Sequence, residues 1–300
     1  MSAHAVRRIA GREIDFARRV VVMAIVNRTP DSFYDRGATF ALDAAVGAAL
    51  AAYADGADWV DVGGAKFAPG PAISVDEEID RVVPVVAQLA GAGGISVDTF
   101  QPDVARAAID AGAHVINDTT GIHDPRMADV VADSDATIVI THSLAAPRTP
   151  HPAPAYGDVV TEVADFLRRR VDLAIERGVP PERIIVDPGH DLNKHTTDSL
   201  ELTRRLGEIV ALGHPTLVAL SNKDFIGETL ARDRGDRVAG SLAAAVWCVT
   251  QGARVVRVHN VRETVDAMRM TEAIFGWRVP AGPLVHNMPA TPDLPEEVAR

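Results

Sequence analysis

The stretch VVVMAIVNRTPDSFYDRG, residues 20–37, decides how this chain is to be read. Its first seven residues, Val20 to Val26, are all apolar, the composition of a strand covered on both faces. The run then stops in Asn27, Arg28, Thr29, Pro30, Asp31 and Ser32, an abrupt change for a core strand. A closed parallel barrel accounts for both halves, because its strands are buried while their C-terminal ends converge on one polar face.

The same pattern recurs at WVDVGG (from Trp59), GISVDT (Gly94), HVINDT (His114), TIVITH (Thr137), RIIVDPG (Arg183), TLVALSNK (Thr216) and RVVRVHN (Arg254). Most intervals hold an Ala-rich amphipathic segment such as VDEEIDRVVPVVAQLAG or DVVTEVADFLRRRVDLAIERG. Gly56, Gly178 and Gly252 follow the last apolar residue of three of these segments, where a helix ends in a left-handed residue. Eight strand-then-helix units predict an α/β fold, a (β/α)8 TIM barrel over residues 20–276, with an open doubly wound sheet as runner-up. Residues 1–19 read as an N-terminal extension with room for a short hairpin. Residues 277–300 read as a Pro-rich tail with little periodicity.

Composition narrows the function. The 300 residues carry a net charge of −11 and are 47% hydrophobic. A surface of that charge repels nucleic acid and anionic lipid, so an anion can be held only where cations concentrate locally. The longest uncharged apolar runs are strand-sized, and Met1 to Arg19 is too charged for a signal peptide, which predicts a cytoplasmic protein with no membrane partner. The single cysteine, Cys248, excludes an intramolecular disulfide and sits in the apolar run SLAAAVWCVT, as a packing residue would. Three lysines, Lys66, Lys194 and Lys223, stand against twenty-seven arginines, so each lysine runs against the bias of the chain.

Strand by strand, the residues delivered to the polar face are Asn27; Asp61; Asp98 with Thr99; Asn117 with Asp118; His142; Asp187; Ser221 with Lys223; and Arg257 with His259. Polar loops are usual, so one such residue carries little weight; eight together, with carboxylates inside buried strands, call for partners. Asp187, Asn117, Asp98 and Lys223 suit a flat heterocycle bearing amide and amine groups. Lys223, Arg257, His259 and Asn27 suit an anion or an oxygen-bound Mg²⁺. The sequence has no HExxH, no His/Cys cluster, no GxxxxGK[ST] and no GxGxxG, which leaves zinc hydrolysis, a P-loop and a dinucleotide site unsupported.

With these residues in order, the chain resembles the dihydropteroate synthase family, from about residue 20 to about residue 275. NRTPDSFYDRG is similar to that family's first signature, and DVGG…PG, SVDT, IND, TH, DPG, SNK and RVH follow in the family's order. The resemblance implies a reaction joining 6-hydroxymethyl-7,8-dihydropterin pyrophosphate to p-aminobenzoate. It implies that Asp98, Asn117, Asp187 and Lys223 hold the pterin and that Asn27, with Mg²⁺, Arg257 and His259, binds the pyrophosphate. Lys223, Arg257 and His259 are the implied catalytic residues, acting mainly by stabilising the leaving group, and a homodimer through outer helices is implied as well.

The departures are concentrated. The second loop reads Ala65, Lys66, Phe67, Ala68, Pro69, Gly70 and lacks the family's threonine and arginine. Arg28 and Arg36 replace small residues, Asn222 replaces the arginine of the SNK segment, Leu192 stands where an aromatic packs on the pterin, and Thr141 and Ser143 flank His142 in place of methionines. The expectation is a synthase homologue with very weak or no synthase activity, binding pterin pyrophosphate or p-aminobenzoate-like and sulfone-like ligands weakly. Two alternatives stand beside it: an active synthase in which Arg28 and Lys66 replace the lost cations, and a non-catalytic ligand- or partner-binding protein on the same scaffold. Pterin-dependent methyl transfer is weaker, because nothing resembles a cobalamin module.

Overall fold

The computed structural model describes residues 6–27, 37–65, 70, 72–145, 149, 153–284 and 286–287; the side chains of residues 37–41 are outside that description. Two short strands, β1 (Val6–Ile9) and β2 (Arg12–Asp15), pair antiparallel as a hairpin. The barrel strands follow: β3 (Val21–Asn27), β4 (Trp59–Gly63), β5 (Gly94–Asp98), β6 (Val115–Asp118), β7 (Thr137–Thr141), β8 (Ile184–Asp187), β9 (Leu217–Val218) and β10 (Val255–Val258). They are all parallel in the order β8-β7-β6-β5-β4-β3-β10-β9. A parallel bridge between Val186 and Thr216, with Val186 N donating to Pro215 O at 3.0 Å, closes β8 on β9. The (β/α)8 reading is borne out.

The covering helices are α1 (Gly37–Ala54), α2 (Val75–Gln88), α3 (Pro102–Asp110), α4 (Arg126–Ala132), α5 (Val159–Glu176), α6 (Thr196–Arg204), α7 (Leu206–Val210), α8 (Asp224–Leu230), α9 (Val238–Thr250) and α10 (Val261–Ile274). Local chemistry starts several of them. Ser74 Oγ accepts from Glu77 N at the head of α2, and Asp158 Oδ1 accepts from Thr161 N at the head of α5, satisfying amides that a helix start leaves bare. Two elements differ from expectation. The helix expected over residues 197–213 is divided into α6 and α7, and the break falls at Arg205, two residues before Gly207, the poorest helix former in the run. The strand expected in TLVALSNK stops after two residues because the chain turns: Lys223 N donates to Leu220 O at 3.2 Å, and Asn222 is left-handed at φ 60. The short α8, built on buried Phe225 and Ile226, follows this turn and was not legible from periodicity.

The two-residue period of the strands divides the core. Val22, Ala24, Ile116, Ile138, Ile140, Ile184, Val186, Val218 and Val256 face the helices and belong to one cluster. Their strand neighbours Met23, Trp59, Val115, Val139, Ile185, Leu217 and Val255 face inward and pack with Ile9, Ile14 and Phe16 of the hairpin in a second cluster. The hairpin thus floors the barrel at the N-terminal ends of the strands, and Arg7 Nη1 donates to Ile184 O at 2.8 Å to hold it there. Cys248 is fully buried on α9.

Candidate functional site

Counting onward by two from the inward apolar residues gives Ile25 and Asn27 on β3, Asp61 on β4, Asn117 and Thr119 from β6, Thr141 on β7, Asp187 and Gly189 from β8, Ala219 and Ser221 beyond β9, and Arg257 and His259 from β10. On β5 the same period runs through Gly94, Ser96 and Asp98. Most of these residues line an inner cavity of about 260 Å³ at the C-terminal mouth, together with His190, Leu192 and Lys223. A wider bay of about 570 Å³ shares Ile25, Ala219, Lys223, Arg257 and His259 with it and reaches Asn222 and Arg234. Both volumes suit a small-molecule site.

Above the apolar floor lies a buried ionic network. Arg257 Nε donates to Asp61 Oδ2 at 2.6 Å and Nη2 to Asp98 Oδ2 at 2.9 Å. Asp61, with 0% exposure, also accepts from Ser96 Oγ at 2.5 Å and from Asn117 Nδ2 at 3.0 Å. Burial pushes the Asp98 carboxyl up to about 7; Arg257 opposes the shift, and the neighbouring Asp61 charge adds to it. Among the described residues, buried Asn117 Oδ1 has no hydrogen-bond partner, and neither do Thr119 Oγ1 and Thr141 Oγ1, all from residues lining the inner cavity. Unpaired buried acceptors of this kind are costly unless something polar fills the space.

Asp187 accepts from Gly189 N at 2.8 Å through Oδ1, while burial raises its pKa against the pull of Lys223, Arg257 and Lys194. Gly189 is required here: its φ is +67, and a side chain would run into the carbonyl oxygen of His142. Lys223 Nζ donates to His190 O at 2.8 Å, and burial lowers its pKa, opposed by Asp191 and Asp187. His259 opens at the rim with its amide bonded to Ser221 Oγ at 3.2 Å; burial lowers its pKa, and the charges of Arg257, Arg234 and Lys223 lower it further.

The structure therefore brings together Asn27, Asp98, Asn117, Asp187, Lys223, Arg257 and His259 around one cavity. Other polar strand ends are employed elsewhere. Asp118 accepts from Thr120 N, Thr120 Oγ1 and Ile122 N, knotting its own loop. His142 is buried against Phe166, edge on at 4.7 Å; burial and then Lys194 push its pKa down to about 2, so the neutral ring accepts from Lys194 Nζ at 2.9 Å through Nδ1. Lys194 also donates to Gly189 O and Leu192 O, so it clamps the loop after β8. The two-residue count separates these two sets, and it also marks Thr119 and Thr141, which the motifs alone missed. Arg28, Lys66 and most of the altered second loop, residues 66–69, lie outside the described residues.

His190 stands out in the loop after β8. It is fully buried, its ring stacks on Phe225 at 6.0 Å, and neither ring nitrogen has a hydrogen-bond partner among the described residues. Burial holds its pKa well below 6.5, with Lys194 and Lys223 adding to the effect. Below pH 6.5 the unfolded chain takes up a proton that the folded ring refuses, so this residue's stabilising contribution is lost as pH falls. His190→Phe should raise the urea midpoint at pH 7.5 by about 1 kcal/mol equivalent. That gain should widen below pH 6.5 by up to about 1.4 kcal/mol per pH unit. An identical gain at pH 7.5 and pH 5.5 would mean that the folded ring accepts the proton.

Fold and mouth together define a barrel of the enzyme type, with its cavity at the C-terminal ends of the strands. A family model described as pterin binding enzyme matches residues 23–259. The inactive dihydropteroate synthase 2 of Mycobacterium tuberculosis is 47% identical over 270 residues, covering 87% of this chain and 85% of that protein. The protein of the same name from Mycobacterium leprae is 46% identical over 280 residues, covering 91% and 96%. A solved structure of Xanthomonas albilineans dihydropteroate synthase with 4-aminobenzoic acid aligns at a TM-score of 0.84 and 41% identity, over 93% of this chain and 100% of that one. Another structure of that enzyme, in complex with 7,8-dihydropteroate, aligns at a TM-score of 0.79 and 38% identity, over 92% of this chain and 100% of that one. The chain belongs to the pterin-binding enzyme family and is a dihydropteroate synthase homologue. Among the described residues no helix is long and apolar enough to cross a membrane.

Proposed function

We propose that this protein is a divergent dihydropteroate synthase homologue that binds a pterin diphosphate at the strand ends and forms dihydropteroate very weakly or not at all. The observation carrying the binding half is the unpartnered, buried Asn117 Oδ1 beside Asp187 and Asp98, a set of acceptors matched to the amino-pyrimidine edge of a pterin. In this reading Asp98, Asn117, Asp187 and Lys223 hold the heterocycle, while Asn27, Arg257 and His259 face its diphosphate. The second half is supported by the sequence of the second loop, which lacks the threonine and arginine expected over the substrates. The mycobacterial relatives named inactive point the same way.

Mg²⁺ belongs to this proposal only as an ion arriving with the ligand. Among the described residues lining this mouth, the amide oxygens of Asn27 and Asn117 stand beside Asp187 and beside Asp98, which is already paired to Arg257. That donor set suits an ion that keeps waters and phosphate oxygens as most of its ligands. A cytoplasmic homodimer is the assembly proposed with it, supported by the outer faces of α9 and α10, where Trp247, Met270 and Ile274 are exposed.

The test is calorimetric titration with 6-hydroxymethyl-7,8-dihydropterin pyrophosphate and Mg²⁺, followed by addition of p-aminobenzoate and an assay for dihydropteroate. Micromolar binding is expected. Each lost transition-state contact costs on the order of a hundredfold, so two lost contacts predict turnover about ten-thousandfold below an ordinary synthase. Turnover comparable with such an enzyme would overturn the proposal.

A further inference from the structure

The cations at the mouth are unequal. Arg257 is turned inward onto Asp61 and Asp98, where two carboxylates face its single charge. Lys223 Nζ donates to the His190 carbonyl, and the charges of Asp191 and Asp187 offset its own. Neither leaves much uncompensated charge for a dianion. Asn222, where the resemblance puts an arginine, turns aside and donates to Asn260 Oδ1 at 3.3 Å.

Arg234 differs from all of these. It lies in the short turn Arg234–Asp236 between α8 and α9 and lines the outer bay with Lys223, Arg257 and His259. It makes no hydrogen bond or ion pair with any described residue, Asp233 and Asp236 beside it included. The turn carrying it is nonetheless fixed. Ala231 ends α8 in the left-handed conformation at φ 50. Arg237 then ties the far side back, donating to Asn222 O at 2.9 Å, Lys223 O at 3.2 Å and Asp224 Oδ1 at 2.8 Å. An unpaired guanidinium is thus held over the bay by a turn pinned to the segment that supplies Lys223.

We infer that Arg234 is the principal cation for the ligand's anionic group, and that this mouth takes a diphosphate or comparable dianion over β9 and β10 rather than under the second loop. The inference deepens the pterin diphosphate reading and rests on it for the placement of the heterocycle. Arg234 would meet phosphate oxygens as a fork, which a lysine reproduces only as a point charge.

Inorganic pyrophosphate with Mg²⁺ and, separately, 6-hydroxymethylpterin would be titrated into the wild-type protein, Arg234→Ala and Arg234→Lys. The expected result is pyrophosphate binding weakened about tenfold or more in Arg234→Ala, partly recovered in Arg234→Lys and less sensitive to salt, with the pterin affinity unchanged throughout. Equal pyrophosphate affinity in wild type and Arg234→Ala would overturn the inference and leave the pterin reading intact. Failure of wild-type protein to bind pyrophosphate at all would overturn it too. Loss of pyrophosphate affinity in Arg234→Ala without any pterin binding would sustain the role of Arg234 and sink the pterin assignment. Arg234 is exposed, so its replacement should leave the circular dichroism spectrum and urea midpoint unchanged.

Discussion

Asp61→Ala should destabilise the protein by about 3–5 kcal/mol, the cost of removing one partner from a buried ion pair. Asp61 is fully buried and serves Arg257, Ser96 and Asn117 at once, so its removal strands three polar groups in the barrel lumen. Arg257 would keep only Asp98, and the Asp98 carboxyl, already pushed up by burial, would lose the neighbouring charge that raises it further. The measurement is a urea denaturation curve, in which the midpoint should fall with little change in slope. An unchanged midpoint would mean that Arg257 and Asn117 find other partners within the lumen.

Asp187→Asn should behave in the opposite way. The amide oxygen can still accept from Gly189 N, so the turn after β8 survives and the urea midpoint should move by no more than about 1 kcal/mol. Ligand binding should suffer far more. The second oxygen becomes an amide that cannot accept from the donor edge of a pterin, and Lys223 loses a charge that sustains its own. Affinity for 6-hydroxymethylpterin should fall about a hundredfold, because a mispaired buried polar group is penalised more than a missing apolar contact. Undiminished affinity would remove Asp187 from the site. Both carboxylates are buried acceptors, but Asp61 is bonded to three side chains of the lumen while Asp187 accepts from the Gly189 amide and lines the cavity, which makes the pair of variants a test of the whole assignment.

Much of this was legible in the sequence. The eight apolar runs and the helical segments between them specify a (β/α)8 barrel, because parallel strands covered on both faces show no alternation and need a helix to return the chain. The polar strand ends were legible too, but the runs gave no alternation to tell Asp98 from Thr99 or Asn117 from Asp118. That distinction came from the inward packing of Met23, Val115, Ile185 and Val255, from which the count by two begins. His142 was legible only as a polar strand end and Lys194 only as one of three lysines; that they form a clamp was not, since their meeting spans 52 positions and no local pattern encodes it. Arg234 escaped notice because its placement depends on Arg237 reaching back to the Asn222 and Lys223 carbonyls. The divided helix at Arg205 and the turn at Asn222 are tertiary outcomes of the same sort.

The network of Asp61, Arg257 and Asp98 has an evolutionary consequence. The same three side chains that arrange the floor of the cavity also neutralise one another inside the barrel, so selection for a folded chain would retain them whether or not any reaction is under selection. Loop residues that make no such buried contacts answer to no such constraint. A duplicated copy released from its original metabolic duty would therefore drift first in its loops and keep its binding cup, ready for recruitment to a ligand of similar outline.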